Sequence, residues 1–257
     1  MTSYHGGKQR IGKQLATVMV DESLHISKDE GWTIKGYCEP FCGMLGVYQH
    51  IPELYEKEED IGKLKYKVGD ANKSVIMMWN EAKRGWQPPT TMTDEKYNKL
   101  KDGPDSAEKG FVGHQYSFGG QYFKGYIAKY GKKGNFPRTV ERIKKISKKL
   151  SKENVIFKHG SYTQYSNLKD YVIYCDPPYG NREQWYPGGK EGSFDSRKFF
   201  EWCRKMAENN IVFVTEYKAP KDFEKIWSKN IKMTGKGVSQ KHGKGSHTKR
   251  VEKLYIV

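Results

Sequence analysis

Residues 171–179 read Y-V-I-Y-C-D-P-P-Y, and this stretch decides the fold. The apolar run 171–175 is typical of a strand buried inside a sheet, and it stops at Asp176. Pro177 and Pro178 fix two φ angles and remove two N–H donors, so the backbone here offers acceptors only. The Asp176 carboxylate adds an acceptor, and Tyr179 adds an aromatic face on which a ring could stack. The pattern favours a rigid site for a planar group that donates N–H bonds, such as the exocyclic amine of a nucleobase.

Strands and helices alternate along the rest of the chain, which predicts a mostly parallel sheet. The strands are expected at 32–39, 63–70, 154–159, 171–175, 211–217 and 250–257. The helices are expected at 8–20, near residue 46 after a glycine loop, from residue 73, at 138–150 and at 196–209. A polar, glycine-rich hairpin loop is expected at 235–249. In such sheets ligands bind at the carboxyl ends of the strands.

The length and composition exclude several classes of protein. A chain of 257 residues fits one large α/β domain or one domain with an insertion. No stretch approaches the ~20 apolar residues of a membrane span, and the first ten residues lack the apolar region of a secretory signal. We therefore predict a soluble, intracellular protein. The four cysteines form no C-x-x-C pair, so we interpret them as core thiols and predict no metal site.

The chain is strongly basic, with a formal net charge of +16. Such a charge favours an acidic partner, most often nucleic acid, although a charged surface can also serve solubility alone. Residues 81–154 hold 17 Lys and Arg against 8 Asp and Glu, a net charge of +9. Turn signals interrupt residues 83–135, which indicates an insertion. We predict a catalytic domain of residues 1–80 and 155–257 and an inserted domain of residues 81–154.

Two other strand ends carry an acid and, in the first case, a glycine loop. Glu39-Pro40-Phe41-Cys42-Gly43 follows one strand, and its glycine lets the backbone approach a ligand closely. Asp70-Ala71-Asn72 follows the next strand, and an acid there can accept bonds from ribose hydroxyls. Together they suggest a nucleoside-bearing cofactor, although a G-x-G-x-x-G fingerprint is absent. Each has an ordinary alternative, because Phe41 can be core packing and Asp70 can cap a helix.

In these motifs the chain resembles a Dam-type DNA adenine-N6 methyltransferase of the alpha group, in the form common in phages and large viruses. Tyr4-His5-Gly6-Gly7-Lys8 is similar to the N-terminal motif, Glu39–Gly43 to the S-adenosylmethionine loop, and Asp70–Asn72 to the ribose-binding turn. Asp176–Tyr179 is similar to the catalytic tetrapeptide, and Thr215-Glu216-Tyr217 to a later strand motif. The resemblance implies an α/β, Rossmann-like methyltransferase fold with a mostly parallel seven-stranded sheet and a β6–β7 hairpin. It also implies that residues 81–154 are a smaller, inserted target-recognition domain.

The resemblance further implies the roles of individual residues. A flipped adenine would stack on Tyr179 while Asp176 and the Pro177 carbonyl accept bonds from its N6 amine, with Pro178 holding the turn rigid. The implied cofactor-binding residues are Tyr4, Lys8, Glu39, Pro40, Phe41, Gly43, Asp70, Asn72, Ser161, Tyr162 and Asp176. Lys8 suits the carboxylate of the cofactor, although it can also be one of many solvated lysines. The candidate DNA contacts are Arg84, Lys124, Lys132, Lys133 and Arg138.

The expected cofactor is S-adenosylmethionine, the expected product is S-adenosylhomocysteine, and the expected partner is double-stranded DNA. We expect a monomer or weak dimer, without membrane or metal. If the source is a virus or phage, as the resemblance implies, the expected location is the host cytoplasm or nucleoid. Two alternatives stay open. One is a methyltransferase acting on another nucleic-acid amine, N4 of cytosine or adenine in RNA; the other is a catalytically inactive DNA-binding protein.

Overall fold

A seven-stranded sheet forms the centre of the computed structural model, which describes residues 4, 6–130, 136–178, 194–232 and 249–257. Its strands are β1 Gly36–Glu39, β2 Lys65–Asp70, β3 Val155–His159, β4 Tyr171–Cys175, β5 Ile211–Thr215, β6 Glu224–Lys232 and β7 Lys249–Ile256. Their order across the sheet is β3-β2-β1-β4-β5-β7-β6. Strands β1 to β5 are parallel to one another, whereas β7 runs antiparallel to both β5 and β6. This arrangement confirms the predicted Rossmann-like methyltransferase fold with its β6–β7 hairpin.

Strand β1 is shorter than the alternation of residues 32–39 predicted. It begins at Gly36, which lies opposite Lys65 of β2 and Tyr171 of β4. Because neither neighbouring strand extends further back, Trp32 and Ile34 have no ladder to join and precede the strand. Central β4 is buried at every position, as its unbroken apolar run predicted.

Seven α-helices are present in the described ranges. They are α1 Gly12–Glu30, α2 Ile51–Tyr55, α3 Lys73–Lys83, α4 Asp94–Asp102, α5 Ala107–Gln115, α6 Phe136–Leu150 and α7 Ser196–Ala207. Helix α1 continues ten residues beyond its predicted end and stops at Gly31, whose φ of 70° is left-handed. Helices α4 and α5 were not predicted. Thr93 and Ser106 cap them by accepting bonds from the backbone N–H groups of Lys96 and Lys109.

The helices of residues 81–154 share a core with the sheet. The apolar face of α6 buries Val140, Ile143, Ile146 and Leu150 in the same cluster as β1 and β2 side chains. Ser147 of α6 donates to the Ala82 carbonyl at the end of α3. The two predicted domains therefore meet across buried apolar surface.

No helix of the described ranges is long and apolar enough to cross a membrane. Within the same ranges no group of three or more His, Cys, Asp or Glu side chains is arranged to hold a metal ion. All four cysteines are buried thiols, as the sequence predicted.

Candidate active site

The candidate site lies where the strand order reverses, between β1 and β4. The chain adds β2 and β3 on one side of β1, and β4 and β5 on the other side. Diverging connections at such a point leave a crevice at the carboxyl ends of the strands. Glu39 ends β1, Asp176 follows β4, and Thr215 ends β5. The parallel register brings these polar groups to one edge of the sheet.

The Asp176 carboxylate is held through one of its oxygens. Oδ1 accepts a hydrogen bond from Lys8 Nζ at 2.7 Å and another from Thr215 Oγ1 at 2.8 Å. Thr215 is itself fully buried and lies 3.0 Å from the hydroxyl of Tyr174. Because both bonds fall on Oδ1, they fix the orientation of the carboxylate and set the direction of Oδ2.

Lys8 connects the N-terminal segment to this edge. Its side chain is only 5% exposed, and its Nζ also bonds the Gly6 carbonyl at 3.2 Å. The carboxylate of Glu252, on β7, lies 3.6 Å from the same Nζ. The sequence assigned Lys8 to the cofactor carboxylate; the structure places its ammonium beside Asp176, and the cofactor contact stays a prediction.

The acids at this edge have raised pKa values. Desolvation raises the pKa of Asp176; the Lys8 ammonium lowers it, and Glu252 raises it. Burial raises the pKa of Glu39 well above its usual range, opposed by the Tyr37 hydroxyl, which donates to it at 2.8 Å. The negative charges of Asp176 and Asp70 raise the pKa of Glu39 further. The site is therefore an acceptor-rich pocket in which negative charge is costly.

Asp70 ties the loop after β1 to the turn after β2. Its Oδ2 accepts from Gly43 N at 2.9 Å and its Oδ1 from Asn72 N at 2.8 Å. Asn72, and not Asp70, is the N-cap of α3, since its side chain accepts from Val75 N. The capping alternative for Asp70 is therefore wrong. Burial raises the pKa of Asp70, while the two backbone bonds lower it.

Gly43 has a left-handed φ of 44° and lies against the ring of Tyr4. A Cβ at this position would approach the Tyr4 ring to 2.7 Å. Trp79 of α3 donates to the Gly43 carbonyl at 2.8 Å. The loop thus needs glycine both for its backbone conformation and for the close approach of the N-terminal segment.

His114 of α5 brings the inserted segment into contact with Tyr4. Its ring lies between those of Tyr4 and Tyr122, with centroids 4.5 and 4.9 Å away. Its Nδ1 bonds the Gly120 carbonyl, while its Nε2 is buried and has no hydrogen-bond partner among the described residues. Burial lowers the pKa of His114 to about 4, so the imidazole is neutral at physiological pH.

On the other side of the loop, Phe41 and Tyr162 form a stacked pair with centroids 5.7 Å apart. Both rings are partly exposed and pack against Phe199 of α7. Ser161 is exposed and caps the short helical turn that follows it. Pro40, next to Phe41 in the loop, is buried.

These residues fit the cofactor predicted from the sequence. A buried, fixed carboxylate at the end of β2 suits ribose hydroxyls, a glycine loop suits close backbone approach, and the exposed faces of the aromatic pair suit a purine ring. Asp70, Gly43 and the Phe41–Tyr162 pair supply these three features on adjoining loops.

The predicted DNA contacts in the described ranges are exposed and lie apart from these loops in sequence. Arg84 follows α3 and pairs with Glu81 at 2.9 Å, whereas Lys124 and Arg138 lie at exposed positions of the inserted segment. Lys132, Lys133, Tyr179 and positions 235–248 of the predicted hairpin loop fall outside the described residues.

The structure adds three residues that the sequence did not assign to the site. Thr215 and Glu252 contact the Asp176–Lys8 pair, and His114 packs on Tyr4. Of these three residues, only Thr215 could have been found from the sequence, because it stands in the Thr215-Glu216-Tyr217 motif at a strand end. Glu252 and His114 reach the site through strand pairing and helix packing between segments distant in sequence.

Comparisons with known proteins give distant structural similarity only. No protein-family model and no curated protein matches the sequence. The rRNA methyltransferase aviRa from Streptomyces viridochromogenes has a similar structure, with 10% sequence identity and a TM-score of 0.38. The alignment covers 95% of this chain and 84% of the aviRa chain. SMU.472, a candidate methyltransferase complexed with SAH, has 12% identity and a TM-score of 0.33, covering 96% of this chain and 52% of its own. Sheet order and strand register, which do not depend on these similarities, define the fold.

Proposed function

We propose that this chain is an S-adenosylmethionine-dependent methyltransferase that modifies N6 of adenine in double-stranded DNA. The observation that carries the proposal is the fixed Asp176 carboxylate at the carboxyl end of β4, followed by two prolines and held by Lys8 and Thr215. It lies at the strand-order reversal, on the same sheet edge as Asp70 and Gly43.

The cofactor site is proposed on the loops after β1 and β2. Asp70 would accept bonds from the ribose, the Phe41–Tyr162 pair would contact the adenine ring, and Tyr4 would close the site over Gly43. When bound, S-adenosylmethionine supplies an electrophilic methyl group. The protein's own contribution is to position the acceptor amine and exclude water.

Asp176 and the Pro177 carbonyl are proposed to accept hydrogen bonds from the two N–H groups of the target amine. Those bonds draw electron density toward nitrogen and turn its lone pair out of conjugation with the ring. Pro177 and Pro178 carry no N–H, so the acceptors meet no competing backbone donor. The target base must leave the duplex to reach this pocket, and Tyr179 is the proposed stacking partner.

The distribution of positive charge supports a nucleic-acid partner. Helix α6 buries one apolar face and exposes Lys144, Lys145 and Lys148 on the other. Lys144 pairs with Glu141, but the helix and the whole chain keep a large positive excess. Lysines on one face of a helix can follow a phosphate backbone. We therefore propose that residues 81–154 contact DNA.

Sequencing of modified bases after incubation with unmethylated genomic DNA and S-adenosylmethionine tests the proposal. N6-methyladenine at one recurring sequence is expected. N4-methylcytosine, or methylation confined to RNA, would identify one of the alternative substrates. DNA binding without any methylation would favour the inactive DNA-binding alternative. A DNA affinity that does not fall with salt would contradict the role proposed for the charge.

A further inference from the structure

Lys8 is shared between two carboxylates from different strands. Its Nζ lies 2.7 Å from Asp176 Oδ1, after β4, and 3.6 Å from Glu252 Oε2, on β7. Lys8 and Glu252 are nearly buried, with side chains 5% and 8% exposed, and Asp176 is 18% exposed. When all three groups are ionised, one positive charge faces two negative charges, so the trio carries a net negative charge beside the pocket.

The position of Glu252 follows from the reversal of β7. Thr215 of β5 lies opposite Leu254 of β7, so Glu252 stands two residues beyond the end of β5. That is the edge where Asp176 leaves β4. Glu252 is opposite Lys229 of β6, whose ammonium bonds Gln14. The C-terminal hairpin thus delivers a carboxylate to a site built by the parallel strands.

We infer that Glu252 is a positioning residue that shares the Lys8 ammonium with Asp176 and leaves the Asp176 carboxylate able to take a proton from the substrate amine. The inference rests on the proposed function, because it assigns a step to the same pocket. A lysine bonded to Asp176 alone would orient the carboxylate but would also make it a poor proton acceptor. A second carboxylate beside Lys8 retains the orientation of the Asp176 carboxylate. It also offsets the loss of basicity that Lys8 causes in Asp176.

The proton has to leave for the reaction to balance. As the amine nitrogen forms its bond to the methyl carbon, the bond from that carbon to sulfur breaks and its electron pair stays on sulfur. The nitrogen then carries a positive charge and loses an N–H proton, which Asp176 takes. Because the Asp176 side chain is partly exposed, it can pass the proton to solvent. No oxidant or further reactant is required.

Among the described residues, five groups face Asp176 from the elements packed around it: Lys8, Thr215, Glu252, Tyr174 and Glu39. Lys8 and Thr215 favour its ionised form, whereas desolvation and Glu252 favour its protonated form. Among the charged neighbours that act on Asp176, Glu252 opposes Lys8 directly. Removing the charge of Glu252 should therefore lower the pKa of Asp176.

The test compares Glu252→Gln with Glu252→Asp. Glutamine keeps the size of the side chain and removes the charge; aspartate keeps the charge but moves it away from Lys8. Glu224→Gln, an exposed carboxylate on the same hairpin, is the control. The Asp176 carboxyl is followed by carbon-13 NMR in the cofactor-free protein, with Asp176→Asn providing its assignment. The pH dependence of single-turnover methyl transfer is measured in parallel.

In Glu252→Gln we expect the pKa of Asp176 to fall and the acid limb of the rate profile to move to lower pH. The plateau rate should fall about tenfold, less than the ~10²–10⁴ of a lost general base. Glu252→Asp should lie between wild type and Glu252→Gln, and it carries the test alone if the glutamine variant does not fold. Glu224→Gln should match wild type.

An unchanged Asp176 titration in a folded Glu252 variant would overturn the inference, as would a shifted titration with an unmoved rate profile. The proposed function fails differently. If wild type transfers no methyl group while Glu252→Gln still shifts the Asp176 titration, the shared lysine stands and the methyltransferase proposal falls.

Discussion

Replacing Gly43 by alanine should separate the effect of close packing at the cofactor loop from the effect of backbone strain. Two effects would lower the free energy of unfolding of the Gly43→Ala variant. The φ of 44° costs an L-residue about 1–2 kcal/mol, partly offset by the lower entropy of the unfolded chain. The new Cβ would also lie 2.7–3.0 Å from three atoms of the Tyr4 side chain. Overpacking of this kind costs about 1–3 kcal/mol.

Gly31 provides a matched control. Its φ of 70° imposes the same kind of strain, but no atom lies within 4 Å of an added Cβ. We therefore expect Gly31→Ala to lower the free energy of unfolding by about 1 kcal/mol and Gly43→Ala by roughly 2–4 kcal/mol. Urea denaturation measures both changes, provided that the m value stays constant.

The second readout is binding of S-adenosylhomocysteine by calorimetry. Displacing the Tyr4 ring should weaken binding in Gly43→Ala by at least about tenfold, equivalent to about 1.4 kcal/mol, while Gly31→Ala binds as wild type does. Equal stability losses in the two variants, or unchanged affinity in Gly43→Ala, would refute the close-packing argument. The affinity of wild type itself reports on the proposed cofactor.

Three further predictions concern Asp176, Asn210 and Glu39. Asp176→Ala should abolish methyl transfer, measured with labelled cofactor, yet retain cofactor binding; near-normal turnover would contradict the proposed mechanism. Asn210→Ala should cost about 1–3 kcal/mol in urea denaturation, because its buried side chain accepts from Tyr171 N and donates to two carbonyls; exposed Asn209→Ala should be nearly neutral, and equal losses would count against this account. Glu39→Gln should stabilise the protein more at pH 8 than at pH 5.5. Because the pKa of Glu39 is raised in the fold, the protonated carboxyl contributes stability at low pH. This stability is lost as pH rises and the carboxyl ionises. A stability difference between Glu39→Gln and wild type that does not change with pH would exclude this effect of Glu39.

Local patterns were sufficient for most of the sheet. The unbroken apolar run of β4 and the alternation of β7 predicted strands that the structure confirms. Prediction failed where partners set the limits: β1 begins only where β2 and β4 can pair with it. Helices α4 and α5 were missed because they are short, although Thr93 and Ser106 carried capping signals.

The sequence by itself determined which chemistry stands at the strand ends. Asp176 with its two prolines, Asp70 and Gly43 are local motifs, and a parallel sheet necessarily brings such ends to one edge. Their recognition needed no knowledge of long-range contacts.

Only the tertiary structure decided how those groups are charged and held. Lys8 meets Asp176 across 168 positions of sequence, and Glu252 joins them because β7 runs antiparallel beside β5. His114 reaches Tyr4 through the packing of α5. Desolvation and ion pairing depend on distances between such remote segments, which residue order does not encode locally.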